Sequence, residues 1–268
     1  MSRRVVITGA ASGLGLALAH RFHAAGDRLL LTDLDGERLE AAVAAVGERA
    51  AGLAHDVRDD RQWAAVRAWC EERWGGVDVL VNNAGVATGG RFAHQPIEDW
   101  QWVLDIDLLG VVRGCRAFVP LMTAQGHGHL VNVASLAGLI NPPANASYNA
   151  AKAGVVSLSE TLRLELEPAG IRTTVVCPSF FRTGLTATFR TGDDAIRGLM
   201  GKLVDGSDVT PDAIAERVVA AVDRGRFLVL TDRDGRSSYL VKRWLPPLFR
   251  AVARKRTASL LARLEGAR

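Results

Sequence analysis

The chain has 268 residues, 48% apolar and 23% charged, with three cysteines. That balance suits one large α/β domain or two small ones, and it excludes a disordered chain, a collagen-like fibre and a disulfide scaffold. The formal charge of +4 is unevenly placed: residues 236–268 hold nine Lys/Arg and one acid, against 24 basic and 28 acidic residues before them. A mildly acidic body with a basic tail does not point to nucleic acid as a partner.

Short apolar runs alternate with helical patterns along the chain. Val5-Val6-Ile7 is expected to be a buried strand, followed by a helix from about Leu14 to Ala25. Leu29-Leu30-Leu31 is the second strand and Gly36–Val46 the next helix. Gly52-Leu53-Ala54 is a weaker third strand, with a helix over about Arg61–Trp74. Strands at Val77–Val81 and Leu130–Val133 flank one long helical stretch around Glu98–Leu121. A helix over about Ser147–Leu166 leads to a strand at Arg172–Val176, then a helix at Pro211–Val222 and a last strand at Phe227–Leu230. Continuous apolar strands separated by helices imply right-handed crossovers and strands buried on both faces. The expected fold is α/β, a doubly wound parallel sheet forming a single domain over residues 1–235. Residues 236–268 would add a basic, helical C-terminal extension.

Cys70, Cys115 and Cys177 are widely spaced and form no Cys-x2-Cys pair, so three reduced, buried thiols and no metal site are expected. The start runs from Met1-Ser2-Arg3-Arg4 directly into an apolar strand, and no run of 18 apolar residues occurs. These features suggest a cytoplasmic protein.

Thr8-Gly9-Ala10-Ala11-Ser12-Gly13-Leu14-Gly15 lies between the first strand and the first helix. Its glycines permit a tight turn and a close approach of backbone to ligand. The helix N-terminus beyond offers free N–H groups to a pyrophosphate. The alternative is a plain strand–helix turn. Asp33 closes the second strand, where a carboxylate can accept hydrogen bonds from both ribose hydroxyls of an adenosine and repel a 2′-phosphate. Leu34 follows it and Ser12 stands in the turn, so neither offers a basic group, and Arg38 is a weaker candidate. NAD is thus expected rather than NADP, unless Asp33 is only a helix cap or a solvated turn carboxylate. Asp56-Val57 follows the third strand and could meet the adenine or merely cap the next helix. Asn82-Asn83-Ala84-Gly85 ends the fourth strand, where small residues would let backbone pass beneath the adenosine or the asparagines would lock neighbouring strands.

Tyr148 and Lys152 are four apart at the start of a helix and so share one face. A phenol titrates near 10, too high for a base at neutral pH. A lysine ammonium and a nicotinamide cation nearby would stabilise the phenolate. Ser135, just beyond a buried strand, would hold the substrate oxygen. A Tyr-x3-Lys pair is otherwise an ordinary helix-surface pair, but it stands here beside the glycine turn, Asp33 and Ser135.

Over about residues 4–230 the chain resembles the short-chain dehydrogenase/reductase superfamily, of the compact single-domain kind. Thr8 through Gly15 match its Thr-Gly-x3-Gly-x-Gly cofactor turn, and Asn82 through Gly85 its Asn-Asn-Ala-Gly element. Ser135, Tyr148 and Lys152 match its catalytic triad. The resemblance implies a Rossmann-like, three-layer α/β/α fold and hydride transfer between a nicotinamide and a carbinol carbon. Tyr148 would be the general acid/base, and Lys152 would bind the nicotinamide ribose and tune the tyrosine. It also implies a homodimer or homotetramer.

Two positions depart from the family pattern. Asp107 stands where an Asn usually carries a relay water next to the lysine, and its charge would bias Lys152 toward the protonated form. Alternatively it is a packing carboxylate. Cys177-Pro178-Ser179 replaces a usual Pro-Gly pair, adding a side chain near the nicotinamide edge. Thr183 matches a threonine that contacts the carboxamide, or caps a helix.

Residues 184–208 correspond to the family's substrate lid. Phe180, Phe181, Leu185 and Phe189 would form its apolar underside, facing Leu139, Ile140 and Pro142, or would simply pack the lid onto the body. The first alternative suits a hydrophobic secondary alcohol or ketone as substrate. The reading is therefore an NAD-dependent dehydrogenase of a secondary alcohol, set against an NADP-dependent ketoreductase or a nucleotide sensor without catalysis. In the tail, Phe249, Val252, Arg256, Leu260 and Leu264 form a broken apolar stripe among basic residues. It would dock on the body or a sister subunit rather than on a membrane surface.

Overall fold

The computed structural model describes residues 2–182 and 188–265. Among these residues seven strands form one parallel sheet: β1 (Arg4–Thr8), β2 (Arg28–Asp33), β3 (Ala50–Ala54), β4 (Val79–Asn82), β5 (Gly128–Val133), β6 (Ile171–Cys177) and β7 (Leu228–Leu230). Their order is β3-β2-β1-β4-β5-β6-β7, so the winding reverses between β1 and β4. In sheets of this kind ligands bind beyond the carboxyl ends of the strands at that reversal.

The apolar strands are buried on both faces because successive side chains enter opposite cores. Val5 and Ile7 point into a core with Leu14, Leu18 and Phe22, covered by α1 (Gly13–Ala24), α2 (Gly36–Val46) and α9 (Pro211–Asp223). Val6 points into the other core with Trp63, Phe118 and Val155, covered by α3 (Asp60–Trp74), α5 (Gly110–Gln125) and α7 (Ala146–Leu166). Each fully buried Leu, Ile or Phe in these layers stabilises the fold by about 1.5–3 kcal/mol. This is the expected doubly wound, three-layer domain.

Three local differences from the sequence expectation have clear causes. The weak pattern of β3 reflects its place at the sheet edge, where its residues are only partly covered. β4 begins at Val79 rather than Val77 because Gln125 takes both backbone groups of Val77, its Oε1 accepting at 2.9 Å and its Nε2 donating at 2.8 Å. The stretch expected as one helix is divided into α4 (Ile97–Leu104), a π-helical turn at Asp105–Leu109, and α5. Such turns recur at functional sites, since they change which side chain faces inward. Here the inward one is Asp107, fully buried.

A short α6 (Ala137–Ile140) follows Ser135, and α8 (Asp194–Asp205) occupies much of the expected lid. The chain ends in α10 (Arg233–Trp244) and α11 (Pro246–Glu265), the latter beginning at a proline whose missing N–H is unneeded there. In the tail stripe Phe249 is half-buried with Lys242 Nζ 5.9 Å from its ring, Val252 is exposed, and the side chains of Leu260 and Leu264 lie outside the described part. Among the described residues no helix is long and apolar enough to cross a membrane. Cys70, Cys115 and Cys177 are free and buried, and burial pushes each thiol up to about 12.

Candidate active site

A cavity of about 560 Å3 opens beyond the carboxyl ends of the strands. Gly9, Ser12, Gly13 and Leu14 from the glycine turn line it, together with Asp33, Leu34, Asp56, Val57, Asn83, Ala84 and Gly85. The same cavity reaches Asp107, Ser135, Tyr148, Lys152, Pro178, Ser179 and Phe181. Thr8 and Gly15 are not in its wall, and Thr183 lies outside the described residues.

Thr8 and Gly15 instead brace the turn from behind. Thr8 Oγ1 accepts from the N–H groups of Asn83 and Ala84, both at 3.0 Å. Asn83 Nδ2 donates back to Thr8 O at 2.9 Å and Gly9 O at 3.0 Å. Gly9 adopts φ +63°, and a Cβ there would stand 2.8 Å from Ala84 Cα. A Cβ on Gly15 would stand 2.1 Å from Gly9 O, so only glycine lets α1 start this close to the turn. Ser12 is the N-cap of α1 but makes no side-chain capping bond, so among the described residues no side-chain acceptor takes the helix's first N–H groups beside the cavity. The cradle fits a pyrophosphate, and it is built from backbone.

Asp33 is not a helix cap, because Asp35 caps α2 by accepting from Arg38 N at 3.1 Å. The Asp33 carboxylate accepts from Ala11 N at 2.9 Å, which holds it against the glycine turn. Two guanidinium groups, Arg38 and Arg58, also line this end of the cavity. Arg38 lies 3.9 Å from Asp35, and Arg58 grips Asp56 with contacts of 2.9 and 2.6 Å. The hydrogen bond from Arg58 holds the Asp56 carboxyl below the usual carboxylate range. Asp56 does not cap α3 either, since Asp59 accepts from Arg61 N and Gln62 N. Asn82 is away from the cavity and locks strands, its Nδ2 donating to Asn132 Oδ1 at 2.9 Å.

At the other end, β5 delivers Ser135 and α7 delivers Tyr148 and Lys152 one turn apart. Lys152 Nζ lies 5.7 Å from the centre of the Tyr148 ring and donates to Val133 O at 3.0 Å. Asp107 comes from the π turn, its Oδ2 3.2 Å from Lys152 Nζ and its Oδ1 accepting from Val86 N at 2.8 Å. Burial by itself would depress the Lys152 ammonium, but Asp107 and Tyr148 outweigh it and raise it above the usual lysine range. Burial raises the Asp107 carboxyl, with Lys152 pulling it back. In the protein alone, burial also lifts the Tyr148 phenol above its ordinary value. Lys152 and the Ser135 hydroxyl pull the phenol down, as the sequence suggested, but Asp107 works against them and burial wins. Ser135 Oγ accepts from Ala137 N at 3.1 Å and donates to Pro178 O at 3.4 Å.

The remaining wall is largely apolar, with Trp102, Ile140, Pro142, Phe180, Met200 and Val204 facing the same space. The expected lid underside is corrected in part. Phe189 is buried in a small cluster with Ala87 and Ile196 and does not line the cavity, while Phe181 lines it as expected and also packs on the main core. Leu139 likewise packs inward, and Leu185 lies outside the described residues. Met200 and Val204 of α8 take the place assigned to Phe189. Ile196, Met200 and Val204 recur every four residues, a helical stripe that was available as a sequence signal. His55 was also missed. It lines the adenosine-side wall, its Nδ1 3.1 Å from Thr32 Oγ1, and burial drives it down to about 4.

Residues 3–194 match the family model described as short chain dehydrogenase. The 2-(R)-hydroxypropyl-CoM dehydrogenase of Xanthobacter autotrophicus is 37% identical over 69% of this chain and 77% of its own length. The trans-4-hydroxycyclohexanecarboxylate dehydrogenase of Sinomonas cyclohexanicum is 34% identical over 83% of this chain and 87% of its own. The probable oxidoreductase EphD of Mycobacterium tuberculosis is 33% identical over 94% of this chain, which spans only 45% of that protein. A short-chain dehydrogenase/reductase from Burkholderia phymatum, solved in complex with NAD, superposes with a TM-score of 0.87 at 32% identity. That match covers 92% of this chain and 95% of that one. The chain belongs to the short-chain dehydrogenase/reductase family, NAD(P)-using oxidoreductases of alcohols and ketones.

Proposed function

We propose that this protein is an NAD-dependent dehydrogenase of a hydrophobic secondary alcohol, with Tyr148 as general acid/base. The observation that carries this is the sharing of one cavity by the glycine turn, Asp33 and the Ser135, Tyr148 and Lys152 side chains. The first turn of α1 would hold the pyrophosphate and Asp33 the adenosine ribose. When bound, the nicotinamide supplies the acceptor or donor of the hydride. Ser135 Oγ donates to the substrate oxygen and orients it. Tyr148 Oη takes the hydroxyl proton during oxidation and returns it during reduction. Lys152, its ammonium form favoured by both Asp107 and Tyr148, holds the ribose and offsets negative charge on the phenol. Pro178 and Ser179 would border the carboxamide.

The carboxylate at Asp33 disfavours a 2′-phosphate, and the basic groups nearby are each beside a carboxylate of their own, which supports NAD. The apolar wall around Trp102, Ile140, Phe180 and Met200 excludes water and favours a cyclic or chain-like hydrocarbon body on the substrate. A relative that oxidises a hydroxycyclohexane acid agrees with that class. Low cellular NADH favours alcohol oxidation over ketone reduction. Buried, free thiols support a cytoplasmic setting, and the exposed Leu109 and Leu164 on outer helices support a homodimer or homotetramer.

The test is hydride transfer to NAD and to NADP across a panel of secondary alcohols, with Tyr148→Phe alongside. Turnover is expected with NAD and apolar alcohols, and loss of turnover with retained NADH binding in the variant. A Tyr148→Phe enzyme as fast as the wild type would overturn the assignment.

A further inference from the structure

Two contacts tie α10 to the loops on either side of Ser135. At its start, Asp232 Oδ1 accepts from Gly235 N at 2.6 Å and so caps the helix. The other oxygen, Oδ2, accepts a short hydrogen bond from the Ser179 hydroxyl and one of 3.3 Å from Thr231. Ser179 follows Pro178, whose carbonyl accepts from Leu136 N at 2.8 Å and from Ser135 Oγ at 3.4 Å. Toward the other end of α10, Lys242 Nζ donates to Leu139 O at 2.6 Å, within α6.

Between these two contacts the packing is close. A Cβ on Gly235 would stand 3.2 Å from Leu136 Cδ2. On the opposite side of the same loop, a Cβ on Gly138 would stand 2.6 Å from the carbonyl carbon of Lys152. Residues 135–140 are therefore held between α10 and the helix that carries Tyr148 and Lys152. A glycine at position 179 would have no hydroxyl to offer Asp232, so this serine and the acid at the start of α10 work as a pair.

We propose that α10 clamps the catalytic loop, with Asp232 and Lys242 as positioning residues that fix where the Ser135 hydroxyl stands relative to Tyr148. Asp232 acts through Ser179 and Pro178, and Lys242 acts through Leu139. The proposal rests on the reading of Ser135 and Tyr148 given above. α10, most of which lies in the C-terminal extension, is thus part of the active site's scaffold and not an appendage.

The experiment compares the full-length wild type with Ser179→Gly, Asp232→Ala, their double variant, Asp232→Asn and Lys242→Met. It measures kcat, KM, NADH affinity by fluorescence, and amide hydrogen exchange over residues 135–140 in the protein alone. Misplacing a catalytic group by a fraction of an ångström costs on the order of tenfold in rate, so Ser179→Gly and Asp232→Ala should each lower kcat about tenfold. NADH affinity should change little, and exchange over 135–140 should quicken. The double variant should lose no more than the worse single one, because both remove the same contact. Asp232→Asn should restore most of kcat, since its amide oxygen caps α10 and its N–H can donate to Ser179 Oγ. Lys242→Met keeps the aliphatic stem, loses the donor, and should also quicken exchange.

The proposal is overturned if Asp232→Ala lowers thermal stability alone, with kcat and exchange over 135–140 unchanged. It is equally overturned if the losses in Ser179→Gly and Asp232→Ala multiply in the double variant, since the two would then act separately. A wild type that binds no dinucleotide and oxidises no alcohol would sink the earlier reading of the site. The exchange measurements would still decide the clamp.

Discussion

Asp107 and Lys152 form a buried ion pair, Oδ2 to Nζ 3.2 Å, directly behind the tyrosine that faces the cavity. The pair is nearly neutral as a unit, so Lys152 pulls on the Tyr148 phenol less than an unpaired ammonium would. Asp107 itself raises both Lys152 and Tyr148.

Asp107→Asn should therefore lower the Tyr148 pKa. With Tyr148 as the proposed general base, alcohol oxidation requires the deprotonated phenol, so activity should rise with pH through that pKa. The acid limb of the kcat/KM profile should move to lower pH in the variant, with activity retained. An unmoved profile would reduce Asp107 to a packing carboxylate.

Asp33→Ser removes the carboxylate expected to repel a 2′-phosphate while leaving a small hydrogen-bonding side chain. The ratio of kcat/KM for NADP to that for NAD should rise by about tenfold or more, the equivalent of about 1.4 kcal/mol. A wild type that already prefers NADP would remove the basis for this expectation.

Gly9→Ala meets two obstacles at once. Its φ of +63° is disfavoured for alanine, and the new methyl would stand 2.8 Å from Ala84 Cα. The turn must shift, at a cost of about 1–3 kcal/mol, and dinucleotide affinity should fall with it. Denaturant titration and NADH fluorescence read the two effects, and a variant as stable and as tight-binding as the wild type would contradict the geometry.

His55 and His129 are buried, and burial lowers each from 6.5 to about 4. The unfolded chain therefore takes up these protons at higher pH than the folded one. Their contribution is constant above pH 6.5, and stability is lost as pH falls from 6.5 toward 4, by about 1.4 kcal/mol per unit for each histidine. Below that range Asp56 takes over, because the Arg58 hydrogen bond that lowers its pKa is lost only on protonation. Denaturation curves at pH 7 and pH 5 should differ accordingly, and equal stabilities would disprove the assignment.

The strands were the most legible part of the fold. Val5-Val6-Ile7 and Leu29-Leu30-Leu31 are continuous apolar runs because helices cover both faces, and burial on both sides leaves no room for a polar alternate. The edge strand β3 was faint for the opposite reason. Among the site residues, the glycine turn and Asp33 were readable because local backbone geometry and strand position constrain them. The division of labour inside the turn was not readable. Gly9 and Gly13 border the cavity, whereas Gly15 and Thr8 only brace it, and that depends on how closely α1 and β4 approach.

The π turn that buries Asp107 was hidden because its sequence, Asp105-Ile106-Asp107-Leu108-Leu109, reads as ordinary helix. The Phe189 correction has a similar origin: the sequence showed an aromatic side chain but not which of two apolar spaces it fills.

Periodicity, turn chemistry and motif spacing along the chain thus determined the parallel α/β class, the cofactor-turn type and the Tyr148–Lys152 register, because each depends on neighbours a few residues apart. Contacts between segments far apart in the chain decided the rest. Only folding joins Asp107 to Lys152, Met200 to Phe180's cavity, and Asp232 to Ser179, since burial and hydrogen-bond geometry at these points are set by packing that no local stretch encodes.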